Sequence, residues 1–290
     1  MGSVHGRVPV SVIIPTVGRP RLVEQALESL ARCDPMAAEV LVVDQSSNRS
    51  VAEVVERFSH VRARLVSLAE PNLSRARNVG MEEASEDVVL FIDDDCTVDK
   101  SWAGTASRLM DADPDRIVTG RVIGTSPNVP SVREDEQRHD YTGELRCEVL
   151  FPNNLAAPRA ALLEFGGFDP RFQGAGEDLD LCYRWLLAGR KLWFEPELVV
   201  WHHDWRAAPE LLLLYDRYWR EQARFYGKHL RRGDFRIVRF VLRDAAYGVL
   251  ELARAARRRE PLAPPARRLL LLVQGVGRQL LPGRTRHSAG

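Results

Sequence analysis

A mostly parallel α/β sheet clothed by helices on both faces, followed by an α-helical appendage, is the fold class that this sequence predicts. Three observations lead there. Short runs of Val, Ile and Leu without polar alternation recur in the first hundred residues, as strands buried on both faces require. Segments with apolar residues at helical spacing separate those runs, which is the order a parallel sheet with crossover helices produces. From residue 209 onward the pattern is helical and Arg-rich, broken at "RRGD" and again at "EPLAPPA".

In order, "VSVIIP" (10–15) reads as the first strand, followed by a Pro/Gly turn and an amphipathic helix over 21–31 with Leu22, Ala26, Leu27 and Leu30 on one face. "EVLVVD" (39–44) is the second strand, "QSSNRS" a loop, 51–58 a helix and "RARLVSL" (62–68) the third strand. A helix capped by Ser74 carries "LSRARNVGMEEAS", and "DVVLFI" (87–92) is a fourth strand that runs into Asp93, Asp94 and Asp95. Residues 120–152 read as one long irregular segment with Pro127, Pro130 and "REDEQRHD", a length expected of a functional loop. "GEDLDLCYRWLLAG" starts at Gly176 and packs Leu179, Cys182, Tyr183 and Leu186 along one helical face. "KLWFEPELVVWHHDW" supplies two short strands, one of them ending at His202 and His203.

The 290 residues, 45% apolar, suffice for a domain of roughly 200 residues with an appendage. Charge divides the chain at about the same place. Residues 206–290 hold 19 Lys+Arg against 7 Asp+Glu, a net of +12, and the preceding part is net −11. The expected division is a domain over 1–205 and a basic helical extension over 206–290. That extension is a candidate for contact with anionic lipid, for homodimerisation, or for a plain solvated face. Cys33, Cys96, Cys147 and Cys182 form no CxxC pair, so neither a disulfide framework nor a zinc ribbon is indicated. No signal-peptide pattern opens the chain and no apolar run is long enough to span a bilayer, so a cytoplasmic protein, soluble or peripheral at the inner membrane face, is expected.

In parallel sheets ligands bind beyond the carboxyl ends of the strands. That rule brings together Thr16, Asp44 and the triplet, which are distant in sequence. Three adjacent carboxylates repel one another unless a cation or cationic partner lies among them; a solvated turn is the alternative. If the segment is extended, Asp93 and Asp95 point the same way and Asp94 the other. Trp102, Trp193 and Trp205 are candidates for stacking on the flat face of a ligand, with Trp205 preferred for its place beside the histidines.

Taken in order, "VIIPTVGRP", "VLVVDQSS", "LSRARNVG", "FIDDDC", "GGFDPRF", "GEDLDLCYRWLLAG" and "VVWHHDW" resemble the family 2 glycosyltransferases, over roughly residues 10–205. The resemblance implies the GT-A fold and an inverting transfer from a nucleoside-diphosphate sugar to an acceptor hydroxyl. It implies that Pro15, Thr16, Asp44, Arg77, Asp93 and Asp94 line the donor nucleotide. Asp44 would accept from the ring N–H of the base, with UDP placed ahead of dTDP and GDP. It further implies Mn²⁺ or Mg²⁺ held by Asp93, Asp95 and His202, with His203 the alternative ligand. Asp178 becomes the general base beside Glu177, and Asn153, Asn154, His203 and Trp205 line the sugar or acceptor pocket. One departure is visible, because "EPNLSRARN" lacks the Asn-x-Gly that often precedes Ser-x-x-Arg-Asn in the family.

Three rivals bear on this reading. A nucleotidyltransferase would need a Gly-rich phosphate loop that "PTVGRPRL" does not supply. A catalytically inactive nucleotide-sugar-binding or partner-recruiting module would not need Asp93, Asp95 and Asp178 intact. A nucleic-acid binder is disfavoured by the Leu, Tyr and Trp interleaved at helical spacing in the extension.

Overall fold

The computed structural model describes residues 6–126, 129–130, 132–172, 174–203, 208–259 and 261–280. The chain divides into two compact units, Met1–Trp205 and Arg206–Gly290.

The first unit begins with β1 (Arg7–Thr16), α1 (Pro20–Ala31), β2 (Met36–Asp44), α2 (Ser50–Arg57), β3 (Ala63–Ser67), α3 (Leu73–Glu83) and β4 (Val88–Phe91). It continues with β5 (Cys96–Val98), α4 (Trp102–Ala112), β6 (Arg116–Gly124), β7 (His139–Asp140), β8 (Leu155–Pro158), α5 (Arg159–Glu164), α6 (Glu177–Leu187) and β9 (Lys191–His202). One sheet runs β3-β2-β1-β4-β8-β6-β9-β5, with β7 paired to β9. The first four strands are parallel. β8 is antiparallel to both β4 and β6, β6 and β9 are parallel, and β5 returns antiparallel on β9. A mixed, mostly parallel sheet of this kind brings the ends of β1, β2, β4 and β9 to one edge.

The continuous apolar strands earn their burial on both faces. Val10, Val12 and Ile14 of β1 join Val23 and Leu27 of α1, Val51 of α2 and Trp102 of α4 in one core. Ile13, one residue out of phase, joins Leu41 and Val43 of β2, Met81 of α3 and Leu181 of α6 in the other. Gly80 lets α3 lie close on the sheet, since a Cβ there would sit 2.4 Å from Ile13 Cγ2. Pro20 opens α1 with the φ a first helical turn needs.

Four sequence expectations are corrected. Asn72, not Ser74, caps α3, its side chain accepting from the Arg75 N–H at 2.9 Å, while Ser74 is buried inside the first turn. Residues 120–152 are not one irregular segment. Their start is the end of β6, Val122 bridges to Arg133, and His139–Asp140 pair with β9. The Arg133 guanidinium lies 3.8 Å from the centre of the Phe194 ring, which ties the returning chain down. "KLWFEPELVVWH" is one twelve-residue strand rather than two, with its pairing to β6 interrupted between Glu195 and Val199. Finally, the chain after Phe91 is a turn and not an extended run, closed by the Cys96 N–H donating to the Asp93 carbonyl at 3.1 Å.

The second unit consists of α7 (Ala208–Arg231), α8 (Val238–Arg258) and α9 (Ala263–Leu280). Tyr226 Oη and Gln222 Nε2 of α7 both donate to the buried Asp244 carboxylate of α8 at 2.6 Å. Ion pairs Arg267–Asp216 and Arg268–Glu251 attach α9 to the other two helices. No helix among the described residues is long and apolar enough to cross a membrane.

Candidate active site

The turn after β4 sends its three carboxylates to three different partners. Asp93 receives a hydrogen bond from Arg77 Nη2 at 2.9 Å. Asp94 accepts from Thr16 Oγ1 at the end of β1, and Arg19 Nε lies 2.8 Å from the same oxygen. Asp95 Oδ1 lies 3.2 Å from His202 Nε2 at the end of β9. The extended-segment expectation, Asp93 and Asp95 side by side with Asp94 opposed, therefore fails because the backbone turns between them. Asp93 keeps 31% of its side-chain surface in solvent, whereas Asp94 and Asp95 are buried.

Burial pushes the Asp94 carboxyl up to about 7 against the opposing pull of Arg19 and Thr16, with Asp95 and Asp93 adding to the rise. Its Oδ1 is buried without a hydrogen-bond partner. Buried polar atoms are normally satisfied, so an orphaned carboxylate oxygen at this point marks a place for a cation or donor from a ligand.

Thr16 and Asp44 are direct neighbours across β1 and β2. Asp44 organises the two loops that leave these strands: Oδ1 accepts from the Gly18 and Ser46 N–H groups at 3.2 and 3.1 Å, and Oδ2 from Ser46 Oγ at 2.7 Å. Pro15 is buried at the same strand end.

Arg77 faces the sheet from α3, one turn after Ser74. Its Nη1 donates to Glu177 Oε1 at 2.7 Å and its Nη2 to Asp93, so the guanidinium spans from the first turn of α6 to the turn after β4. Burial works against this charge, but Asp93 and Glu177 outweigh it and hold the Arg77 pKa above its ordinary value. The resemblance placed Arg77 along the donor nucleotide; here its two terminal nitrogens are held by carboxylates, as a buried guanidinium needs paired anions. Arg77 Nε and Glu177 Oε2 are buried and without hydrogen-bond partners.

Gly176, at φ +82°, turns the chain into α6 in a backbone conformation that favours glycine, and Glu177, Asp178 and Asp180 occupy the first turn where the helix dipole favours anions. Glu177 and Asp180 are buried, but Asp178 keeps part of its surface in solvent. Burial raises the Asp178 carboxyl to about 7 and Glu177 adds to it, against the Leu179 N–H bond and the charge of Arg77.

At the end of β9, Cys96 and His202 are direct partners across the β5–β9 pair. Ligand atoms of Asp95, Cys96 and His202 lie within 4.8 Å of one another, all three residues buried. Burial, then the neighbouring carboxylates, push the Cys96 thiol well up from its ordinary value. His203 is engaged elsewhere. Its Nε2 lies 2.8 Å from Thr97 Oγ1, and burial, then His202, lowers its pKa.

The pocket residues expected from "PNN" divide. Asn153 is buried. Asn154 is fully buried and structural: its amide donates to the Arg121 and Leu198 carbonyls at 2.7 and 2.8 Å and its oxygen accepts from Trp102 Nε1 at 2.9 Å. That bracket joins β6, β9 and α4 at the residue before β8 and gives the side chains of Asn154 and Trp102 a structural use. Trp193 is covered by Arg116 and Arg138, whose guanidinium carbons lie 4.5 and 5.7 Å from the ring centre. Trp205 lies outside the described residues.

Sequence reasoning missed Arg19, Cys96 and Gln45. Arg19 had a weak signal, three residues beyond the β1 end. Cys96 had none, since its place opposite His202 depends on a pairing 106 residues away in sequence. Gln45 reaches the Thr16 carbonyl with its amide at 3.1 Å and accepts from the Asn72 N–H, joining the β1 end to the start of α3.

Comparison with known proteins bears on this arrangement. "Glycosyltransferase AglE" of Haloferax volcanii is 28% identical over 204 residues, 67% of this chain and 66% of that protein. "Pre-mycofactocin glycosyltransferase" of Mycobacterium tuberculosis is 27% identical over 231 residues, 75% of this chain and 46% of that protein. The matches thus span less than two thirds of these curated relatives. Among solved structures, mannosyltransferase PcManGT from Pyrobaculum calidifontis, in complex with GDP-Man and Mn²⁺, superposes with a TM-score of 0.63 at 17% identity, covering 93% of this chain and 87% of that one. Staphylococcus aureus TarS 1-349 with UDP gives 0.58 at 21% identity, over 75% of this chain and 65% of that one. These likenesses establish a GT-A-like fold. The family model named Glycosyl transferase family 2 matches residues 11–169, more than half of the chain, from β1 through the Asp93–Asp95 turn to the threshold of α6. With its strand-end carboxylates inside that match, the chain belongs to glycosyl transferase family 2.

Proposed function

We propose that this chain is an inverting glycosyltransferase that moves a sugar from a nucleoside-diphosphate donor to an acceptor hydroxyl, with residues 1–205 as the catalytic unit and Asp178 as the general base. The observation that carries the reading is Asp178 itself: a carboxylate open to solvent in part, raised to about 7, and anchored through Glu177 and Arg77 to the acidic turn. A base works best when its pKa lies near the operating pH. Asp178 accepts the acceptor's hydroxyl proton as that oxygen bonds to the anomeric carbon. The bond from carbon to the diphosphate oxygen breaks on the opposite side, its electron pair leaving with the diphosphate, so configuration inverts.

Asp44 and Thr16 form the floor for the nucleotide, with Asp44 as acceptor for a ring N–H of uracil, thymine or guanine. Asp95 and His202 are the residues that would hold a divalent cation, and this carboxylate–imidazole pair suits Mn²⁺ ahead of Mg²⁺. When bound, that ion would neutralise charge on the departing diphosphate. The Mn²⁺ in GalNAc-T7 with UDP and in PcManGT with GDP-Man supports such a site. UDP is placed first among donors, and GDP and dTDP belong in the test.

The test follows nucleoside diphosphate release from UDP-, GDP- and dTDP-sugars over a panel of hydroxyl acceptors with Mn²⁺, and reads the anomeric configuration of the product by NMR. One donor class should react with inversion, and Asp178→Asn should slow it about 10²–10⁴-fold with nucleotide binding retained. A retained configuration, or an Asp178→Asn variant as fast as the parent, would overturn the reading.

A further inference from the structure

The second unit carries a surface that the transfer chemistry does not use. Along α8, Phe240, Asp244, Gly248 and Ala255 are buried, which assigns one face to the neighbouring helices. On the opposite side Leu242, Val249 and Leu250, spaced for one stripe, are 64%, 57% and 54% exposed. Arg239 stands at one end of that stripe and Arg254 and Arg257 at the other, all exposed. The helix offers no exposed carboxylate, because Asp244 is buried and Glu251 is half-buried against Arg268. Among the described residues of the whole unit, Glu210 is the one exposed acid, while residues 206–290 hold a net +12.

We propose that this outer face of α8 docks on an anionic phospholipid bilayer, the arginines meeting headgroup phosphates and the leucines and valine entering the headgroup–acyl boundary. Charge complementarity selects this occupant. A second copy of the same face would bring arginine against arginine. Nucleic acid would satisfy the arginines and leave Leu242, Val249 and Leu250 in water. An anionic bilayer offers phosphate and hydrocarbon at the depths where a helix lying in the interface presents its charged and apolar residues. Arginine stems extend along apolar surface while their heads stay at the phosphates, so the two parts of the face do not compete.

The inference stands apart from the glycosyl transfer. Flotation of the full chain with vesicles of phosphatidylcholine alone, and of phosphatidylcholine with phosphatidylglycerol, tests it at low and at high salt. Binding should require the anionic lipid and weaken with salt. The combined substitution Arg239→Gln, Arg254→Gln and Arg257→Gln should reduce partitioning by about tenfold or more. Leu242→Ser with Leu250→Ser should also reduce it, at unchanged net charge. All these positions are exposed, so the variants are expected to fold, and circular dichroism checks that. No co-flotation with anionic vesicles at low salt would overturn the proposal. So would a double Ser variant that floats like the parent, which would make the contact charge adhesion alone. Self-association in sedimentation velocity that the double Ser variant abolishes would assign the face to a second copy instead.

Discussion

Asp178 ties acidity, stability and rate together. A carboxyl whose folded pKa stands at about 7, above its unfolded value, disfavours the folded state once it ionises. The folded chain holds the proton up to that pH while the unfolded chain releases it near the ordinary value of about 4. The penalty therefore grows as pH rises from about 4 to about 7 and then levels off. Asp178→Asn removes it, so the variant should be more stable than the parent at pH 8. The gain, discounted for the part of the group that water reaches, is about 1–2 kcal/mol and shrinks as the pH falls towards 4. Thermal melts of both proteins across that range check it. A variant less stable at pH 8 would show that the carboxylate is held by partners and is not strained. Transfer should have the complementary profile, falling below about pH 7 as the base is protonated.

At the scale of elements, the Arg77 clamp fastens α3 to the first turn of α6 and to the turn after β4. Arg77→Met would strand the buried Glu177 carboxylate, at a cost of about 3–5 kcal/mol in urea unfolding at pH 8. Arg77→Lys should not restore it, since an ammonium cannot address two carboxylates in the forked geometry of a guanidinium. Lysine at full stability would contradict the clamp. The elements themselves were legible to unequal degrees, for physical reasons. β1, β2 and β4 announce themselves because their centres are buried on both faces and read as runs of Val, Ile and Leu. β6 does not, since "RIVTGRVIG" mixes Arg, Thr and Gly into a strand whose neighbours supply the burial. The interruption in β9 hides likewise, as Pro196 reads as an end in sequence and proves to be a break in register with β6. Within the site, sequence order was enough to group Thr16, Asp44 and the acidic turn. The directions of Asp93, Asp94 and Asp95 were not readable, because they depend on a turn set by the short β5 that follows. The structural bracket of Asn154 was likewise hidden, because its partners Trp102, Arg121 and Leu198 come from three other elements.

For the whole molecule, the sheet delivers strand ends from β1, β2, β4 and β9 to a single edge, and the charge of the chain is divided between an acidic first unit and a basic second one. The anionic donor proposed for this acidic unit calls for a local reversal of sign at that edge. A divalent cation on Asp95 and His202 is the means proposed for it. The most direct measurement is therefore isothermal titration of the full chain with UDP, GDP and dTDP, each with and without Mn²⁺, on the parent and on Asp95→Ala. Saturable binding of one of the three that requires Mn²⁺ and disappears in Asp95→Ala is the predicted result. Failure of all three to bind in the presence of Mn²⁺, or equal binding by Asp95→Ala, would contradict a metal-assisted donor site at the acidic turn.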